Sequence, residues 1–202
     1  MMYNLTKLMQ AGNIKVNVRL RSGLPLETEA LFARSFNKAF GMAEGNPVHI
    51  DKIYALKGSV LRNEAARFGY VYASYAPYEL ISTGHMTSEE LLRVRRIART
   101  VECYIGDGGF RRSIPRMLTD TGIKPYELFR SLTKYIVKND LSGKLRKQEN
   151  QARILYEYAG GLYDELADSV KLDILRDVIY ADLSEQISEE AIRKFDRKGW
   201  EL

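Results

Sequence analysis

A chain of 202 residues, 45% apolar and 28% charged, is long enough to bury one core or one and a small second, and its composition is that of a globular protein. It has no apolar run of the ~18 residues a membrane span needs, and its first residues, MMYNLTKLMQAGN, lack the apolar centre and small-residue cleavage site of a secretory signal. One cysteine, Cys103, excludes an internal disulfide and fits a cytoplasmic location, while the formal charge of +5 is mildly basic and leaves acidic partners open.

In chain order, Asn4–Gln10 reads as the end of a helix closed by Gly12 and Asn13. Ile14–Arg21 alternates apolar Ile14, Val16, Val18 and Leu20 with polar Lys15, Asn17, Arg19 and Arg21, the pattern of a strand. A Ser22–Pro25 turn leads into a helix over Glu27–Phe40, with Leu31, Phe32, Phe36 and Phe40 on its apolar side. Pro47–Leu56 is the next strand. The order strand–helix–strand predicts a crossover with parallel strands, right-handed by rule. Beyond about Gly58 the period becomes helical, so the expected division is 1–57 and 58–202. Helices are expected near Val60–Phe68, Ser88–Ile105, Gly109–Thr119, Pro125–Lys138, Lys144–Tyr158, Leu162–Ile179 and Ser188–Arg197. Pro125 suits a first helical position, Pro115 starts or kinks its helix, and Gly160-Gly161 is expected to break one long helix in two.

The most defined stretch runs from Leu56 to Arg112. Thr87 reads as an N-cap with Glu90 as its capping-box partner, and Met86 and Leu91 as a hydrophobic staple. Leu91, Val94, Ala98, Val101 and Ile105 then form an apolar stripe. The tyrosines before it (Tyr70, Tyr72, Tyr75, Tyr78) are read as buried rings bonding through their hydroxyls. The segments LKGS, LRNEAARFGYVY, APYE, ISTGHMTSEEL and GGFRR resemble the region that follows the barrel in cobalamin-binding radical S-adenosylmethionine proteins, a helical domain of unassigned function. Upstream, GNIKVNVRLRSGLPLE and RSFNKAF are similar to the last part of that barrel.

The resemblance implies a fold, cofactors and a pocket. The fold is α+β, mostly α: a short parallel βαβ remnant of a partial barrel with a multi-helix C-terminal domain. The related full-length proteins use S-adenosylmethionine, an iron–sulfur cluster and cobalamin. In them the turn matched by Gly23 and Leu24, and the strand end matched by Leu56, contribute to the cofactor pocket. This sequence departs from the pattern where related strands carry Asp at position 19 and Ile at 21: both are Arg here, and Asp51 stands where a small residue is usual. Such clusters need cysteine thiolates, usually as Cys-x-x-x-Cys-x-x-Cys, and a single cysteine cannot supply them.

The residues themselves name no catalyst. His49 and His85 stand without ligand-spaced partners, so no metal site is expected, and Cys103 reads as a small hydrophobe. No nucleophile elbow, phosphate loop or dinucleotide fingerprint is present. The chain is therefore expected to act without catalysis, supporting or completing a barrel supplied by another chain. Its expected partner is a second copy or a chain with the missing barrel half. The alternative is an independent helical adaptor binding nucleic acid through Arg93, Arg95, Arg96 and Arg99, though a solvated helix face is the commoner meaning of such clusters.

Overall fold

A computed structural model describes residues 16–106 and 109–202; the expected helix end at Asn4–Gln10 lies outside them. The fold is α+β and mostly α. By contacts the chain groups into two units, one running through Glu44 and from Val48 to Arg99, the other comprising Gly45–Pro47 and Thr100–Leu202.

In the first unit, β1 (Val18–Arg21) and β2 (Val48–Asp51) pair in parallel, with Val18 opposite Val48 and Arg21 opposite Asp51. They are joined through α1 (Glu29–Ala43). Thr28 caps that helix by accepting from the Leu31 N–H at 3.3 Å. Its buried stripe is Phe32, Phe36, Ala39 and Ala43; Leu31, expected inside, is 46% exposed, because the alternating four- and three-residue spacing counted from Phe32 turns it outward. The strand expected over Pro47–Leu56 stops pairing with β1 at Asp51. β1 ends there in the Ser22-Gly23 bend, so the continuation of β2 pairs elsewhere. Ile53 C=O accepts from Leu80 N–H, and Ala55 N–H donates to Tyr78 C=O, both at 2.9 Å.

Those new partners belong to a hairpin of β3 (Val71–Tyr72) and β4 (Leu80–Ser82), antiparallel with an irregular register. The helix expected at Val60–Phe68 is only α2, Val60–Asn63, which buries none of its side chains and so has no packing to extend it. The first twelve residues of α3 (Ser88–Val101) complete the unit. The capping box is present: Thr87 N–H donates to Glu90 Oε2 at 2.7 Å, and Glu90 N–H to Thr87 Oγ1 at 3.2 Å. Met86, Leu91, Val94 and Ile97 are buried.

In the second unit the end of α3 widens into a π-helical turn, Glu102–Gly106. Then come α4 (Ser113–Thr121), α5 (Pro125–Lys138), a 3-10 turn (Lys144–Arg146), α6 (Gln148–Asp164), α7 (Ser169–Ser184) and α8 (Glu189–Lys198). α6 packs along α7 and α5, and α4 along α7. Tyr104, Phe110, Ile114, Phe129, Leu155 and Leu183 are fully buried there, and Tyr104 donates its hydroxyl to Gln151 C=O at 3.1 Å. Gly160-Gly161 does not break a helix, contrary to expectation. α6 runs through both to Asp164, since burial of Leu155, Ala159 and Tyr163 outweighs the ~1 kcal/mol each glycine costs. The break falls at Ala167, whose φ is +52°, and Asp168 caps α7 through Lys171 N–H.

Candidate functional site

Among the described residues the first unit has a cavity of about 450 Å³ beside the ends of β1 and β2. Arg19, Arg21 and Asp51 line it from the strands, Leu24 and Glu27 from the turn, and Phe32 from α1. Carboxyl ends of parallel strands are where α/β folds hold ligands. Here Arg19 Nη1 pairs with Asp51 at 3.2 Å to Oδ1 and 3.3 Å to Oδ2. The pair is open to water, with side chains 62% and 32% exposed. Arg21 is exposed as well. Solvation removes the cost that burying these charges would carry.

The turn itself is fastened from within. Glu27 Oε2 accepts from Gly23 N–H at 2.8 Å and from Leu24 N–H at 3.2 Å. Burial raises the Glu27 pKa, and these two donors act against that shift. Tyr70 donates its hydroxyl to Gly23 C=O at 3.0 Å; burial, with Tyr72 and Glu27 nearby, pushes its phenol up to about 12, so at neutral pH it is a donor and not a base. Gly23 has φ +87°, and a Cβ there would lie 2.7 Å from Leu80 Cδ2 and 3.4 Å from Leu91 Cδ1. The glycine is needed for that backbone conformation and for packing against β4 and α3.

The three residues that the resemblance assigned to a cofactor pocket are therefore not gathered in one place. Leu24 lines the cavity; Gly23, buried, and Leu56, 66% exposed, do not. Both N–H groups at Gly23 and Leu24 already have a protein acceptor. Sequence reading missed Glu27 as that acceptor, although a carboxylate three or four residues beyond a glycine turn is its visible trace. Of the tyrosines, Tyr70 and Tyr72 bond through their hydroxyls to Gly23 C=O and Leu61 C=O, whereas Tyr75 is 74% exposed.

The arginines of α3 divide. Arg93 grips Glu29 of α1 through Nε at 3.1 Å and Nη2 at 2.7 Å, a two-pronged pair. Arg95 Nε reaches Glu79 at 3.0 Å, which Lys52 also contacts. Arg96 and Arg99 lie on the exposed face. Two of the four thus hold the unit together. His49 is buried on β2, His85 is exposed in the turn before α3, and Cys103 is half-buried in the π turn. Among the described residues no group of His, Cys, Asp and Glu is arranged to hold a metal, and no helix is long and apolar enough to cross a membrane.

The family described as "Protein of unknown function (DUF4080)" matches residues 66–201. The chain belongs to that family. The match begins just before the hairpin and takes in β3, β4 and all of α3 to α8, leaving β1, α1, β2, α2 and the cavity upstream of it. No curated protein matches the chain.

Proposed function

We propose that this chain is a non-catalytic C-terminal portion, or a short relative, of a cobalamin-dependent radical S-adenosylmethionine protein, and that it supports or completes a barrel whose other strands a further chain supplies. The observation that carries the reading is the β1–β2 pair. It is parallel and joined through a helix, as neighbouring barrel strands are, and among the described residues β1 pairs with β2 alone. Such an unpaired edge invites another strand, and two strands are marginal by themselves. Membership of the DUF4080 family over residues 66–201 agrees with the resemblance of that same region to the segment following the barrel.

The family's cofactors do not fit the residues present. One cysteine cannot replace the thiolates of an iron–sulfur cluster. At the turn, the Gly23 and Leu24 N–H groups donate to Glu27, and the neighbouring strand surface carries the solvated Arg19–Asp51 pair where a nucleoside would need a dry wall. A pocket inherited in outline and opened to water fits both facts. Nucleic-acid binding through α3 is the weaker reading, because Arg93 and Arg95 are committed to Glu29 and Glu79.

Light scattering on the purified chain at micromolar concentration and moderate salt tests the reading. The expected result is a species heavier than one 23.2 kDa chain, or a stable complex once a chain carrying the remaining barrel strands is co-expressed. A sharply melting monomer that ignores such a partner overturns it. Anaerobic reconstitution is expected to leave iron well below stoichiometry, and a four-iron cluster on each chain sinks the non-catalytic part.

A further inference from the structure

The second unit contains a basic cavity that the barrel reading does not use. It has a volume of about 220 Å³ and lies where the first turn of α6 meets α8. Lys147, Arg153, Lys194 and Lys198 line it against a single carboxylate, Glu149. We propose that it is a binding site for a phosphoryl dianion, presented either as free phosphate or as a small phosphate monoester.

Arg153 is the centre of the argument. It is only 6% exposed and has no ion pair among the described residues. Its Nε donates to Gly199 C=O at 2.9 Å, and its Nη1 makes a long contact of 3.4 Å to Asn150 Oδ1. The guanidinium lies over the Phe195 ring, 4.5 Å from its centroid. Nη2 has no acceptor among the described residues. Gln151 Oε1 is the one fully buried side-chain polar atom without a partner among the described residues, so Nη2 must reach open space. A nearly buried arginine without a carboxylate is costly. Its pKa is lowered, chiefly by burial, with Glu149 acting in the opposite sense. A bound oxyanion would supply the missing charge and take up the guanidinium edge left open.

A second, independent feature points the same way. α6 is a helix of 17 residues whose N-terminus has no side-chain cap. Among the described residues the N–H groups of Gln148 and Glu149 find no acceptor, while those of Asn150 and Gln151 return to Lys147 C=O. Free amides at the positive end of a long helix favour an anion. Lys147 and Lys198 are exposed and form no ion pair among the described residues, whereas Lys194 is shared with Glu190 at 2.7 Å. With Lys194 paired, Lys147, Arg153 and Lys198 still face a single lining carboxylate, Glu149, an excess of two positive charges that favours a dianion over a monocarboxylate. The cavity holds roughly seven water volumes, enough for a phosphoryl group on a short organic stem. A polyanionic strand would instead need a groove.

The test is calorimetric titration of the full chain at low salt with inorganic phosphate and, separately, with glycerol phosphate. Potassium chloride of matched ionic strength is the control. Saturable binding of one ligand per chain is expected; the tighter of the two ligands identifies the source of the phosphoryl group. Lys147→Gln with Lys198→Gln, both at exposed positions, should weaken binding roughly tenfold without changing the melting temperature. Arg153→Met should abolish it; if that variant does not fold, the lysine pair carries the test. Heat no greater than the chloride control, or a lysine double variant that binds like the parent, overturns the proposal. The outcome is independent of whether the chain completes a barrel.

Discussion

Each unit of the chain fastens a glycine-containing loop to one carboxylate, and the two fastenings differ in reach and in burial. In the first, Glu27 holds Gly23 and Leu24, three and four residues before it in sequence. In the second, Asp182 on α7 receives the Arg112 and Ser113 N–H groups at 3.2 and 2.9 Å and the Ser113 hydroxyl at 2.6 Å. Arg112 Nε adds a charged contact at 2.8 Å, and Gln186, one turn on, accepts from Gly109 N–H. These partners lie 69 or 70 residues from Asp182. Asp182 is 2% exposed and Ser113 is fully buried, whereas Leu24 is 41% exposed. The local clamp is half-buried, and at least its Leu24 donor can exchange the carboxylate for solvent when it is broken. A distant clamp inside the core cannot, so its loss leaves orphaned donors.

The largest expected effect therefore belongs to Asp182→Ala, at about 3–5 kcal/mol of destabilisation, read by chemical denaturation. A loss below ~1 kcal/mol would mean that water enters and replaces the carboxylate, and the contrast between the clamps would disappear. Gly23→Ala tests the first clamp through its backbone. The left-handed φ and the approach to Leu80 predict a cost of about 2 kcal/mol, measured the same way, and a neutral result would show that the turn relaxes freely. Asp51→Ala removes the Arg19 partner from the same strand ends. Because that pair is solvated it should cost at most ~1 kcal/mol, leaving the melting temperature nearly unchanged; a large fall would show that the cavity wall is drier than its exposure indicates.

The smallest effect is a pH dependence with two opposing signs. The Glu27 pKa is raised by burial. Its shift stabilises the fold at pH below the unfolded value, and that contribution is lost as pH rises through the folded one. The Glu90 pKa is lowered by the Thr87 N–H and hydroxyl, so its contribution is present above the unfolded value and lost as pH falls through the folded one. Glu90→Gln should trail the parent at neutral pH by a few tenths of a kcal/mol, given an exposed carboxylate, and the gap should close on acidification. Glu27→Gln should gain on the parent as pH rises. Denaturation midpoints across the acid range decide it, and parallel curves for both variants would refute the assignment.

Much of the local architecture was legible because its determinants lie within a few residues of each other. Helix α5 starts at Pro125 and ends at Lys138, as the proline and the apolar spacing predict. The Thr87–Glu90 box forms between side chains one turn apart, and the alternation before Ser22 and after Pro47 foretells two strands. The helical period expected beyond Gly58 does not set in there: one short turn and the β3–β4 hairpin follow before α3, and the chain's contacts group residues on both sides of Gly58, dividing between Arg99 and Thr100. Of the site, the turn at Gly23 and its exposed arginines could be read, but not the acceptor Glu27 or the donor Tyr70.

What tertiary structure alone decided is where long-range partners fall. The sequence determined β1, β2, the long amphipathic helices and the capping of α3, since capping, periodicity and chain stiffness act over four residues or fewer; it did not foretell that Val60–Phe68 would shorten to one turn or that β3 and β4 would follow it. It could not determine that Gly160 and Gly161 sit within a continuous helix, that Arg93 and Arg95 are held by Glu29 and Glu79, that Arg153 is nearly buried without a carboxylate, or that Asp182 closes a loop 70 residues away. Those outcomes depend on which surfaces exclude water when the helices pack, and burial decides whether the same charged side chain is a solvated ornament or a group whose partner the fold must supply.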